Sequence, residues 1–227
     1  MSLAEPILPP LAAGEKLSRE EFLRRWEALP QLKFAELIEG VVYVPSPVTS
    51  SHCFEHFDVT HWLGHYALHT PGCQGGDNGT WLMLEDAPQP DCFLRVRPDY
   101  GGRSGLERGY LKGAPELIVE VCQSSASYDL GPKLRLYRKA GVQEYITVLI
   151  TEPRVIWRRL MEGDYVPIEP GPDGWLRSIV FPGLWLDPEA LLRQDGRRLL
   201  SVLQRGLRSP EHRKFVRALS ARRPSRR

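Results

Sequence analysis

Between Pro90 and Tyr145 the chain sets one aspartate, one glutamate and one lysine, Asp91, Glu120 and Lys133, among apolar runs. Two carboxylates suit Mg²⁺, which takes few carboxylates and keeps several waters, with Mn²⁺ as the alternative ion. A metal held this way polarises a phosphoryl oxygen and lowers the pKa of a bound water. An ammonium nearby orients that water or steadies the developing negative charge, the role that Lys133 suits. These three residue types are the minimum apparatus for metal-assisted cleavage of a phosphodiester. Tyr137 stands four residues after Lys133, on the same face of any helix that carries both.

The elements that would position them are readable. Glu116–Cys122 (ELIVEVC) alternates as a strand, with Leu117, Val119 and Val121 on one face and Glu116, Ile118, Glu120 and Cys122 on the other. Both faces are largely apolar near Glu120, as in a central strand, so its carboxylate needs a compensating cation or metal. Taken alone, the strand favours a buried Glu–Arg or Glu–Lys pair, or an acid at the strand end, and its neighbours shift the reading toward a metal. Pro90-Asp91 leads into a second strand, CFLRV, which beside the first would bring two carboxylates to one edge. The other Pro-Asp pair, Pro98-Asp99, runs into Tyr-Gly-Gly, a turn, so Asp91 is preferred. Pro132 is expected in the first turn of a helix running to Lys139, with Gly141 as its C-terminal cap.

The ordered set P-D, ELIVEVCQSS, D-x-x-x-K (Asp129 to Lys133) and Y-x-x-x-G-V-x-E-Y (Tyr137 to Tyr145) resembles the bacterial putative restriction endonuclease family, within the PD-(D/E)XK nuclease superfamily. AELIEGVVYVPSP resembles that family's N-terminal strand block, and the matches span about residues 18 to 165. The resemblance implies an α/β (α+β) domain with a restriction-endonuclease-like core, a four-stranded mixed β-sheet flanked by helices. It implies Asp91 and Glu120 as metal ligands, with Glu36 as a further acid from the N-terminal region. Cys122 stands where E-x-K would put lysine, and in this family the lysine comes from the following helix, here Lys133. A thiol does not replace an ammonium, so a second reading stays open: a catalytically inert nuclease fold that binds nucleic acid or a protein partner.

The remaining signals are weighed against that site. Five of the six histidines fall between His52 and His69, at the four-residue spacing by which helical side chains share a metal. H-E-x-x-H is absent, and the cluster reads as a half-exposed helix face near the substrate groove rather than a zinc hydrolase. Thr49 to Leu68 is expected to be that helix, with Phe54, Phe57, Trp62 and Tyr66 marking its apolar face. TPGCQGGDNG and RPDYGGRSGLERGY read as loops, the second a mobile one. SIVFPG reads as β-structure, and further strands and helices extend the C-terminal part. Ser124-Ser125 lie outside any nucleophile elbow and suit capping. Cys53, Cys73, Cys92 and Cys122 lack C-x-x-C spacing and read as reduced thiols.

At 227 residues, 42% hydrophobic and 26% charged, the chain has material for one ordinary domain. Residues 1–17 read as an irregular leader and 18–207 as the nuclease-like domain. Residues 208–227 read as a basic tail, with eight Lys/Arg against one Glu. Such tails either touch nucleic-acid phosphates or fray in solvent. No run approaches the ~18 apolar residues of a membrane span, and the N-terminus lacks a signal-peptide core, so a cytoplasmic protein is expected. DNA is the expected nucleic-acid partner. A homodimer would fit two-strand cleavage, although no interface stripe is readable.

Overall fold

The computed structural model describes residues 8–223, apart from Ser46, Val48 and Ser124. The Ser18 hydroxyl accepts from the Glu21 N–H and starts α1 (Arg19–Glu27). The Glu21 carboxylate turns to Arg24 and Arg25, which hold its pKa down at about 2. A tight hairpin follows, β1 (Glu36–Ile38) and β2 (Val41–Tyr43). Glu39 and Gly40 both have positive φ, 52° and 73°, the turn geometry that matches the twist of a two-residue hairpin. The end of the leader runs beside β2: Gly14 N–H donates to the Val42 carbonyl and Leu17 N–H to that of Gly40.

Helix α2 (Ser50–Leu68) starts at the Thr49 cap, as expected, but its inward face differs. Val59, Trp62, Leu63 and Tyr66 are buried at helical spacing. Phe54 and Phe57 are 56% and 60% exposed, on the other side of the helix. The glycine-rich segment expected as a loop contains β3 (Cys73–Asp77), an edge strand paired to the later β5 (Cys92–Val96). Gly76 is required there: a Cβ on it would lie 2.6 Å from the Phe93 ring. The expected mobile loop is also ordered. After a 3₁₀ turn at Pro98–Tyr100, it forms the hairpin β6 (Gly105–Glu107) and β7 (Tyr110–Lys112), which joins β4 (Trp81–Leu82) in a small sheet. Buried Tyr100 anchors the start of this segment.

Strand β8 (Leu117–Cys122) leads through α3 (Ala126–Tyr128) and a π turn (Asp129–Lys133) into α4 (Leu134–Ala140), which Gly141 closes in the left-handed conformation. Pro132 therefore lies inside a helical run rather than at its first turn. It has no N–H to donate and its ring crowds the preceding turn, which the wider π winding accommodates. Strands β9 (Glu144–Leu149), β10 (Arg154–Met161) and β11 (Asp164–Pro167) complete the main sheet. SIVFPG is a turn, not a strand; it connects β12 (Leu176–Arg177) to β13 (Trp185–Leu186). The Glu144 carboxylate binds the Ile179 and Val180 N–H groups and so removes them from any ladder.

Helices α5 (Pro188–Leu192), α6 (Gly196–Leu207) and α7 (Pro210–Arg222) follow. As far as Arg223, the basic segment is a docked helix rather than a frayed end. His212 and Leu219 are buried, and His212 Nε2 sits 2.9 Å from Thr70 Oγ1 just past the end of α2.

The main sheet is mixed and six-stranded, in the order β11-β10-β9-β8-β5-β3, with β8 and β9 its parallel pair. Helices α2, α5 and α6 cover one face, packing on Leu117, Val119, Val121, Ile146 and Val148. Helix α4 and Ile38 of β1 cover the other, on Phe93, Ile118 and Tyr145. The sheet is thus wrapped by helices as expected, and the alternation read from ELIVEVC holds. Among the described residues no helix is long and apolar enough to cross a membrane.

Candidate active site

β5 runs antiparallel to β8, with Cys92 opposite Val119. One step further, Asp91 faces Glu120 on the α4 side of the sheet, because opposed residues of an antiparallel pair share a face. The ladder ends at this point and side chains continue it. Asp91 Oδ2 accepts the Val121 N–H at 2.7 Å, and the Asp91 N–H donates to Glu120 Oε2 at 3.3 Å. The start of α2 adds His56, whose Nε2 donates to the Asp91 carbonyl at 3.0 Å, and His52, whose Nε2 lies 3.8 Å from Asp91 Oδ1.

The π turn and α4 deliver the cation. Lys133 Nζ is 3.0 Å from Glu120 Oε1, 3.0 Å from Glu36 Oε1 and 3.7 Å from Asp129 Oδ1. Tyr137 donates to the same Glu120 oxygen at 2.7 Å. Glu36, at the start of β1, is fixed by the Gln89 N–H at 2.7 Å. The Tyr128 ring lies 5.5 Å from the Lys133 ammonium and 4.1 Å from the Tyr43 ring.

Three carboxylates, Glu120, Glu36 and Asp129, thus surround one ammonium, and Asp91 stands next to Glu120 as a fourth acid. Burial drives Glu120 well above the ordinary carboxylate range; Lys133 opposes this, while Asp91, Asp129 and Glu36 add to it. Burial raises Glu36 and Asp129 as well, against the pull of Lys133. Burial works against the Lys133 charge, yet the combined fields of Glu120, Glu36, Asp129 and Asp91 lift its pKa well above normal. Lys133 therefore stays charged, and the cluster is short of positive charge.

That shortage is what a divalent cation would relieve. Among the described residues, no three His, Cys, Asp or Glu side chains form a ready-made metal cage. Mg²⁺ does not need one, since one or two carboxylates with waters and substrate phosphate suffice. Asp91 Oδ1 and Glu120 Oε2 face that requirement, their partner oxygens being committed to Val121 and to Lys133 and Tyr137.

All five expected site residues, Asp91, Glu120, Lys133, Tyr137 and Glu36, therefore converge. The expectation of an ion pair at Glu120 is met too, by Lys133 itself. Asp99 lies beyond the far end of β5, bonded to Arg97. Glu39 sits in the hairpin turn and pairs with Arg135. Cys122 is buried, and burial pushes its thiol far up, leaving it inert. Ser124 lies outside the described residues. Sequence reasoning assigned no role to Asp129, whose only signal is its four-residue spacing from Lys133, nor to His52 and His56 individually. Of the other clustered histidines, His61 and His69 bond to carbonyls of their own helix, four residues back.

The Uma2 family model, described as "Putative restriction endonuclease", matches residues 19–189. A solved structure of a putative nuclease belonging to DUF820 from Anabaena variabilis aligns with a TM-score of 0.59 and 16% identity, covering 78% of this chain and 98% of that one. At that identity the likeness is one of fold. Among curated proteins, nothing matches the chain.

Proposed function

The chain belongs to the putative restriction endonuclease family, and from that premise we propose that it is a Mg²⁺-dependent endonuclease hydrolysing phosphodiester bonds, with DNA as substrate. The observation that carries this reading is the buried imbalance at Glu120: three carboxylates around a single ammonium, with Asp91 as a fourth acid beside Glu120 at the open end of a strand ladder. A bound divalent ion would polarise the scissile phosphoryl group and make water a better nucleophile. Asp91 Oδ1 and Glu120 Oε2 are the atoms that would hold it. Lys133 and Tyr137 fix the other Glu120 oxygen, so the carboxylate is aimed before substrate arrives. The Lys133 charge favours negative charge developing at the site.

A second reading draws on Lys133 itself. It is 4% exposed and ringed by three carboxylates, an arrangement that also suits an inert nuclease fold retained for binding. A cleavage assay on mixed single- and double-stranded substrates, with and without Mg²⁺ or Mn²⁺, separates the two. Metal-dependent cutting of DNA supports the enzyme. Metal-independent binding without cleavage supports the inert domain.

A further inference from the structure

We propose that His52 supplies a nitrogen ligand to the divalent ion held by Asp91 and Glu120, giving a mixed nitrogen and oxygen site that favours Mn²⁺ over Mg²⁺. This rests on the two-carboxylate reading above. His52 Nε2 is 3.8 Å from Asp91 Oδ1, beyond hydrogen-bond range. Asp91 Oδ1 is the oxygen left over after Val121 takes its partner. Adjacent donors on one octahedral ion lie about 3 Å apart, so an ion would draw the pair inward by less than a bond length.

The ring is also held where it is needed. His52 stacks on His56 with ring planes 11° apart, and His56 is bonded to the Asp91 carbonyl. The first turn of α2 is tied down by Thr49, which caps the His52 N–H and bonds to the Gln123 side chain just past β8. The helix start is therefore anchored to both strands that carry the acids. His52 Nε2 thus neighbours Asp91 Oδ1, and the Asp91 N–H in turn reaches Glu120 Oε2 at 3.3 Å, so one residue links the imidazole to the second acid. Mg²⁺ prefers oxygen donors alone, whereas imidazole suits transition ions. A nitrogen donor thus tilts the site toward Mn²⁺.

The test uses the full chain and each metal alone. Calorimetric titration of the wild type should show Mn²⁺ binding about tenfold or more tighter than Mg²⁺. His52→Ala and His52→Gln should weaken Mn²⁺ binding about tenfold or more and narrow that margin, while leaving Mg²⁺ affinity nearly unchanged, and His56→Gln should keep it. Pulsed paramagnetic resonance of the Mn²⁺-loaded wild type should show nitrogen coupling that vanishes in His52→Ala and survives in His56→Gln. Equal Mn²⁺ affinity in wild type and His52→Ala, or a wild-type spectrum without nitrogen coupling, overturns the proposal and leaves the two carboxylates standing. A wild type that binds neither ion overturns both.

Discussion

Glu120 and Glu144 are buried acids on the neighbouring parallel strands β8 and β9, and burial raises the pKa of each. Glu144 is saturated by neutral donors: Ser178 Oγ and Trp157 Nε1 on one oxygen, the Ile179 and Val180 N–H groups on the other. It fastens the turn between β12 and β13 to the main sheet. Glu120 shares Lys133 with two further acids and faces Asp91 across the ladder. A buried acid is therefore not in itself a sign of chemistry. The sign is a group of like charges that the protein leaves partly uncompensated.

The largest expected effect that would break this contrast is on Lys133. Lys133→Met strands three buried acids and should destabilise the fold by about 3–5 kcal/mol at pH 8. The loss should shrink at pH 5, where the acids take up protons instead; urea denaturation at both pH values reads it. Next, Glu144→Ala leaves four donors without an acceptor and should cost about 3 kcal/mol in the same measurement. Its cleavage per folded molecule should stay at the wild-type level, since nothing in the Glu144 cluster touches the candidate site.

The pH dependence of the metal-free protein sharpens the same comparison. Glu120, Glu36 and Asp129 have folded pKa values raised above their unfolded ones. Their contribution is fully present below the ordinary carboxylate range and is lost as pH rises through the raised values. Lys133 is also raised, but from 10.5, so its contribution is constant through neutrality. Thermal melts should therefore show stability falling from about pH 5 toward pH 8. Glu120→Gln should flatten that slope, and added Mg²⁺ or Mn²⁺ should stabilise the wild type more at the higher pH. The smallest effect is expected at the other Pro-Asp pair. Asp99→Asn, in an exposed contact with Arg97, should change stability by less than about 0.5 kcal/mol and leave cleavage unaltered.

The central strand and its acid were legible because alternation sorts ELIVEVC into two faces, and both faces are now occupied as that pattern requires. Asp91 was separable from Asp99 because Tyr-Gly-Gly cannot continue a strand. Less was legible where glycine has two meanings. Gly75 and Gly76 read as turn residues, yet they lie in an edge strand where Gly76 admits the Phe93 ring, a constraint visible only once β5 is in place. The face of α2 was misread because Phe54 and Phe57 outweigh Val59 and Leu63 in apolarity, whereas the sheet takes the latter two. Asp129 and the α2 histidines reach the site only through tertiary packing. The basic helix α7 contacts the far end of α2 at Thr70, and Arg223 lies over Tyr100 past the far end of β5. Its charge is thus displaced from the acidic edge by about the 28 Å length of the 19-residue α2.

The central claim is that the Glu120 cluster is catalytic and the Glu144 cluster structural. The most direct test is metal-dependent cleavage of DNA by wild type, Asp91→Asn and Glu120→Gln, each shown by circular dichroism to be folded. Both variants should lose about 10²-fold or more of the Mg²⁺- or Mn²⁺-dependent rate. Cleavage by both at the wild-type rate would contradict the account.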